Sequence, residues 1–169
     1  IAWMVQLLMA AGAMHCKVSS NEAERQHYWS GRKAALTAAS RIPPDCYVMD
    51  GSVPRKHIGT LLSRIDSLQS VYGLKCVNVF HAGDGNLHPI ICFDGAEDDQ
   101  WHSAEKYGAE ILEACIELGG SVTGEHGVGV EKLDAMCSQF SPFELEMFHR
   151  VKAAFDPARL LNPDKAIPV

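Results

Sequence analysis

The chain has 169 residues, 47% of them hydrophobic and 21% charged, which is enough to bury a globular core and excludes a low-complexity or disordered segment. A net charge of −6, a pI of about 5.7 and the lack of any basic cluster exclude an electrostatic nucleic-acid binder. The apolar stretch at residues 1–13 is too short for a transmembrane segment and lacks the basic flank of a signal peptide.

Beginning inside that apolar run and without Met, the sequence reads as a chain cut from something longer. Its first predicted element is a helix over residues 1–11, with Trp3, Val5, Leu7, Leu8 and Met9 on a wide apolar face and Gly12 at its end. Residues 15–19 read as a short strand. Ser19 and Glu22 form a capping-box pattern that opens a second helix carrying Trp29, Arg32 and Leu36. Pro43-Pro44 ends anything helical.

A strand over 46–49 is expected to stop at an Asp50-Gly51 turn. Pro54 opens a helix whose Ile58, Leu61, Leu62, Ile65 and Leu68 form an apolar stripe, and Gly73 closes it. Strands over 76–80 and 87–93 flank the turn residues Gly83, Asp84, Gly85 and Asn86, the signature of a hairpin. After an acidic turn, residues 101–118 give the longest helical pattern, stopped by Gly119-Gly120. A glycine-rich loop over 121–129 and a short helix over 130–137 follow. Ser141, Pro142 and Glu144 combine an N-cap, a proline at the first helical position and the reciprocal carboxylate, predicting a helix to about Phe155. Asp156-Pro157 and Asn162-Pro163 punctuate the tail. Because the central hairpin is antiparallel, the fold class is α+β, an antiparallel sheet with helices packed on one face plus C-terminal helices.

Six cysteines, at 16, 46, 76, 92, 115 and 137, form no C-x-x-C pair; they read as free thiols in a reducing cytosol. The chemistry-bearing residues lie elsewhere. If 80–81 pairs with 87–88 across the hairpin, His81 and His88 come within reach of one ion, and Glu125 in the glycine-fenced Gly124-Glu125-His126-Gly127 run supplies a carboxylate. Two imidazoles and a carboxylate suit Zn²⁺, Mn²⁺ or Fe²⁺ with positions left open for a substrate. Ordinary hairpin histidines bonded to backbone are the competing reading. His126 faces the same cavity only if its loop is kinked, which Gly124 and Gly127 permit, and a neutral imidazole there suits a general base. A helix-capping histidine is the alternative. Asp84 and Asn86 read as turn formers, and Arg32 as a carboxylate clamp or a surface salt-bridge partner. No dinucleotide fingerprint, phosphate loop or nucleophile elbow occurs.

Taken together, five segments carry a resemblance: Gly31-Arg32-Lys33-Ala34-Ala35, Met49 to Arg55 (MDGSVPR), His81 to Pro89 (HAGDGNLHP), Gly119 to Lys132 (GGSVTGEHGVGVEK) and Phe155 to Lys165 (FDPARLLNPDK). The set resembles the C-terminal domain of FAD-linked oxidases of the vanillyl-alcohol-oxidase superfamily, nearest to glycolate oxidase catalytic subunits, with D-lactate and D-2-hydroxyglutarate dehydrogenases as relatives. The resemblance implies that residues 1–169 form one ferredoxin-like substrate (cap) domain, with the FAD-binding domain outside this chain. It also implies oxidation of glycolate or D-lactate to the 2-oxo acid with hydride transfer to FAD, and an isolated chain that is inactive. His81, His88 and Glu125 would bind a divalent metal, Zn or Mn; His126 would be the base; Arg32 would hold the substrate carboxylate; Glu125 and Asn162 would lie near the flavin. Val48 stands where hydroxyglutarate enzymes carry a lysine, which points to a smaller substrate. The implied partners are a small 2-hydroxy acid, the FAD-binding domain, and further flavin and iron–sulfur subunits of a glycolate oxidase complex. The implied location is the cytoplasm, with the inner membrane face as a peripheral site. A free-standing divalent-metal module without redox activity is the alternative function.

Overall fold

The computed structural model describes residues 1–39, 41 and 44–169, without the side chain of Leu36. Pro43, half of the expected Pro-Pro stop, lies outside them. The chain falls into two compact units, residues 1–38 and 39–169. Among the described residues no helix is long and apolar enough to cross a membrane.

The first unit contributes two helices. Helix α1 (Ala2–Ala10) buries no residue, leaving Trp3, Met4, Leu7, Leu8 and Met9 exposed. Residues 15–19 form no strand: an extended run is a strand only when a neighbour takes up its backbone groups, and nothing pairs with this one in the described sheet. Helix α2 (Glu22–Ala39) starts with a cap two residues beyond the expected place. Asn21 Oδ1 accepts from the Glu24 backbone N–H at 2.9 Å, while the Glu24 carboxylate reaches back to Ser20. Asn caps as well as Ser, and it stands directly before the helix.

In the second unit a single strand is shared by all the others. β4 (Asn86–Phe93) pairs on one edge with β3 (Lys75–His81) and on the other with β1 (Asp45–Val48) and β2 (Gly51–Ser52), all antiparallel. The expected turn at Asp50-Gly51 does not exist. β1 and β2 keep one register along β4, from Asp45 opposite Phe93 to Ser52 opposite Asn86. They form a single extended run interrupted where β4 presents Pro89, which has no N–H to donate; the Met49 N–H still reaches the Pro89 carbonyl at 2.9 Å. By the same alternation Val53 donates to the Gly85 carbonyl, so Asp50 and His88 form a non-hydrogen-bonded pair, the kind whose side chains come closest.

β4 divides the unit by its period of two. Leu87, Ile91 and Phe93 point into the core, whereas Asn86 and His88 share the opposite face. Over the core face lie α3 (Ile58–Tyr72), entered through a 3₁₀ turn at Arg55–His57, and α4 (Asp98–Glu117). Leu61, Ile65 and Leu68 from α3 meet Ala104, Tyr107, Ile111, Leu112 and Cys115 from α4, and the Tyr107 hydroxyl donates to the Ile65 carbonyl at 2.7 Å. α4 begins before the expected Trp101 because Asp98 and Asp99 favour its first turn, where carboxylates meet the positive end of the helix dipole. Trp101 stays exposed, its ring edge-on to Tyr47. The architecture is the α+β sheet with helices on one face anticipated from the pattern. Helices α5 (Leu133–Gln139) and α6 (Pro142–Phe155) follow, and α6 carries the full capping box of Ser141 and Glu144.

Candidate active site

Strand register builds the first half of the site. Across the hairpin Phe80 lies opposite Leu87 and His81 opposite Asn86, so His81 and His88 sit diagonally on one face. Their rings meet edge-on with centroids 5.6 Å apart. Asp84 lies in the turn as expected. Asn86 does not: it is a buried strand residue whose amide nitrogen lies 3.3 Å from His88 Nε2.

The second half is a loop brought in from the far side of α4. Ser52 and Ser121 exchange backbone hydrogen bonds at 2.9 and 3.0 Å, which ties the start of the loop to β2. Gly120 has to be glycine here, since a Cβ would stand 1.8 Å from the Ser52 carbonyl oxygen. Beyond that bridge the fully buried Asp50 carboxylate gathers the loop. It accepts from the Thr123 hydroxyl at 2.7 Å and from the backbone N–H groups of Gly124 at 3.0 Å, Glu125 at 3.2 Å and His126 at 3.0 Å. Lys132, itself buried, donates from Nζ to the Asp50 carbonyl at 2.8 Å and to its carboxylate at 3.1 Å. Burial alone would raise the Asp50 pKa, but the Thr123 hydroxyl, the His126 N–H and the Lys132 ammonium outweigh it and hold the group ionised, well below the ordinary carboxylate range.

The loop so held turns both of its chemical side chains to the histidines. Glu125 Oε1 lies 3.0 Å from His88 Nε2, 3.7 Å from His126 Nε2 and 4.0 Å from His81 Nε2. The His126 ring stacks on His88, centroids 4.9 Å apart and planes 11° from parallel. Gly127, at φ 83°, supplies the kink; Gly124 serves differently, leaving room for Asn86, whose Oδ1 would be 2.2 Å from a Cβ there. Glu125 and His126 are half-exposed, whereas His88 is nearly covered. Burial first, then the neighbouring His126, lower the His88 pKa against the opposing pull of Glu125 and Asp50, which keeps its imidazole neutral and able to ligate.

One donor atom each from His81, His88 and Glu125 lie within 4.8 Å of one another, a span that one divalent ion bridges with small side-chain adjustment. Asp50, His88 and His126 make a second set of the same span, but the Asp50 oxygens are already engaged by five donors and its charge is matched by Lys132. The donor chemistry therefore fits the predicted trio. His126 stands beside it. His81, Asp84, Asn86 and Glu125 line a polar cleft of about 390 Å³, and Val48, His126, Lys132 and Lys165 line a mixed one of about 320 Å³.

The remaining two predicted residues come from other segments. Arg32 is on α2 of the first unit, whereas the cluster is drawn from the second unit alone. Asn162 adopts φ 44° in a tail whose Ala166 N–H donates to the Gly129 carbonyl at 2.8 Å, hooking that tail to the far end of the same loop. Three residues escaped the sequence reading. Asp50 and Asn86 look like turn residues by type, and Lys132 carries no local signal beyond its charge. The alternation of Tyr47, Met49 and Gly51 against Val48 and Asp50 carries the hint that Asp50 sits inside a strand.

The residues at 1–166 match the model of the family described as FAD linked oxidases, C-terminal domain. The chain is 51% identical over 162 residues to glycolate oxidase subunit GlcD of Escherichia coli K12, covering 96% of this chain and 32% of that protein. It is 36% identical over 153 residues to the GlcD subunit of Bacillus subtilis, covering 90% and 33%, and 33% identical over 146 residues to the mitochondrial D-lactate dehydrogenase (cytochrome) of Arabidopsis thaliana, covering 85% and 26%. The chain thus spans about a third of the length of these relatives. Among solved structures, 4-ethylphenol oxidase of Gulosibacter chungangensis shares the fold, with a TM-score of 0.51 at 16% identity over 73% of this chain and 24% of that one. The chain belongs to the C-terminal domain family of FAD linked oxidases.

Proposed function

We propose that this chain is the substrate-binding (cap) domain of a flavin-dependent 2-hydroxy-acid oxidoreductase that oxidises glycolate or D-lactate. The observation that carries the reading is the convergence of His81, His88 and Glu125 with His126 stacked beside them. The two histidines and Glu125 hold a divalent ion, Zn²⁺ or Mn²⁺. When bound, the ion serves as a Lewis acid for the substrate hydroxyl and FAD as the hydride acceptor. Everything else falls to the side chains of this domain. His126 Nε2 takes the hydroxyl proton, its ring held in plane by His88 and its backbone fixed by Asp50. Arg32 binds the substrate carboxylate, and Asn162 and Glu125 lie toward the flavin. Val48 gives the cleft beside His126 an apolar side chain, which supports a short 2-hydroxy acid over a dicarboxylate, while Lys165, lining the same cleft, pulls the other way. The flavin domain, and any further flavin or iron–sulfur subunits, are partners of this chain; the same reading puts it in the cytoplasm, at or near the inner membrane face.

The test is to combine the chain with a flavin-binding domain and follow flavin reduction by glycolate and by D-lactate. The expected result is reduction that falls at least a hundredfold in His126→Ala, since a positioned base contributes about 10²- to 10⁴-fold. A reductive step that survives His126→Ala removes the base assignment. A second reading, a divalent-metal module without redox work, is favoured by the fact that the whole donor trio lies in the second unit. It predicts one ion per chain, lost in His81→Ala, and no response to flavin.

A further inference from the structure

Two cysteines stand directly opposite one another on the sheet. Cys46 of β1 and Cys92 of β4 are partners in the same register that sets Asp50 against His88. The hydrogen bonds from Met49 to Pro89 and from Val53 to Gly85 fix which pairs along this edge are hydrogen-bonded, and counting back by twos makes Cys46–Cys92 a non-hydrogen-bonded pair. Such pairs bring Cα atoms to about 4.5 Å with side chains on one face, inside the window of roughly 4.4–6.8 Å that a disulfide spans. The other thiols are worse placed. Cys76 faces Ile91, not Cys92, and so belongs to the opposite, core face; Cys115 is buried beside Gly51. Cys46 is half-buried and open to a small oxidant, whereas Cys92 is almost covered. Burial first, then the neighbouring Cys46, raise the Cys92 pKa; Lys75, across β4 from Cys92 on the other edge, opposes them in part, which leaves the more open Cys46 as the thiol that meets the oxidant.

We propose that Cys46 and Cys92 are a redox modification site, closing to a cross-strand disulfide on exposure to hydrogen peroxide. The Cys46 sulfur attacks the peroxide O–O bond, forming a sulfenic acid and releasing water; the Cys92 thiolate then attacks that sulfur, the S–S bond forms, and hydroxide leaves to take up a proton as a second water. Two thiols are oxidised and one peroxide is reduced. A dithiol reductant reverses the step. The bond fastens β1 to β4 two pairs along the same face from Asp50 and His88, with Val48 and Ile90 between.

The experiment treats the 169-residue chain with hydrogen peroxide, titrates thiols under denaturing conditions and maps cross-linked peptides by mass spectrometry. The chain should lose two of its six thiols, yield a peptide pair joining Cys46 to Cys92, regain both thiols with dithiothreitol, and melt at a higher temperature while oxidised. Cys46→Ser should abolish the cross-link, whereas Cys137→Ser should leave it intact. The wild-type peptide map stands on its own should Cys92→Ser not fold. Cys46 over-oxidised to the sulfinic acid with Cys92 still free, or a cross-link that joins either cysteine to another partner, overturns the proposal.

Discussion

Asp50 and His88 face each other across a non-hydrogen-bonded pair, 3.6 Å between Oδ1 and Nε2, yet they serve different ends. His88 offers its nitrogen to the open side, with Glu125. Asp50 turns its charge inward, to Lys132 and to the loop that carries Glu125 and His126. The site therefore has a ligand layer and, behind it, a buried ionic clasp.

Breaking that clasp is expected to cost stability, because each change strands a buried charge. Lys132→Met leaves Asp50 with its hydroxyl and backbone donors. Asp50→Ala leaves the buried ammonium with one carbonyl and releases the whole loop. Both should lose on the order of 3–5 kcal/mol in urea unfolding, with Asp50→Ala the larger. The reverse order would show that the carboxylate does not hold the loop.

How far the sequence reached is instructive at these same residues. The convergence of His81, His88, Glu125 and His126 was legible because a hairpin sets the two histidines on neighbouring strands and glycines let the second loop kink toward them. The helix stripe of Leu61, Ile65 and Leu68 and the capping box at Ser141 were legible because each rests on local spacing. Asp50 was not, because its role depends on partners more than 70 positions away, and by type alone Asp-Gly is a turn. Asn86 failed likewise: only strand register distinguishes it from its neighbours in the turn. The unpaired run at 15–19 failed because strand propensity says nothing about whether an edge is available.

Two glycines separate backbone from side-chain tolerance. At Gly120 a methyl group meets the Ser52 carbonyl at 1.8 Å and the Cys115 carbonyl at 2.9 Å, both backbone. At Gly124 it meets only the Asn86 amide, which can rotate. Gly120→Ala should lower Tm by several degrees or prevent folding, beyond the roughly 1–3 kcal/mol of ordinary overpacking. Gly124→Ala should melt closer to the parent and instead weaken Zn²⁺ or Mn²⁺ binding in calorimetry, as the displaced amide presses on His88. Equal Tm losses would contradict the distinction.

Acid unfolding should report on Asp156. Its carboxylate bonds Lys152 and the backbone N–H groups of Leu160 and Leu161, in that order of effect, and its pKa falls to about 2. A depressed native pKa means that the unfolded chain takes up the proton first, at about 3.9. The stabilisation is therefore complete above that pH and is lost as pH drops toward 2. Asp156→Asn should flatten the stability curve between about pH 4 and pH 2 and leave the tail less protected from hydrogen exchange. An unchanged acid limb would sink the assignment.

Ser141→Ala removes an N-cap whose hydroxyl accepts from the Glu144 N–H and donates to its carboxylate. The expected local loss is about 1 kcal/mol, with the global urea midpoint little changed. Since α6 buries no residue, a loss confined to fraying of that helix, visible in amide exchange before global unfolding, is the form the effect should take.

The four turn residues between His81 and Asn86 act as a ruler. β3 adds Cys76 and Phe80 to the core, but β4 is anchored on its other edge by β1 and β2, so most of the core does not depend on the length of this turn. The position of His81 does. One residue added to the turn would shift β3 by a step against β4 and turn its side chains to the wrong face. A variant made this way would retain β1, β2 and β4 around the core, and would forfeit one imidazole of three. The proposed ion site can thus be lost or regained by the length of a loop, with every candidate ligand still present in the sequence.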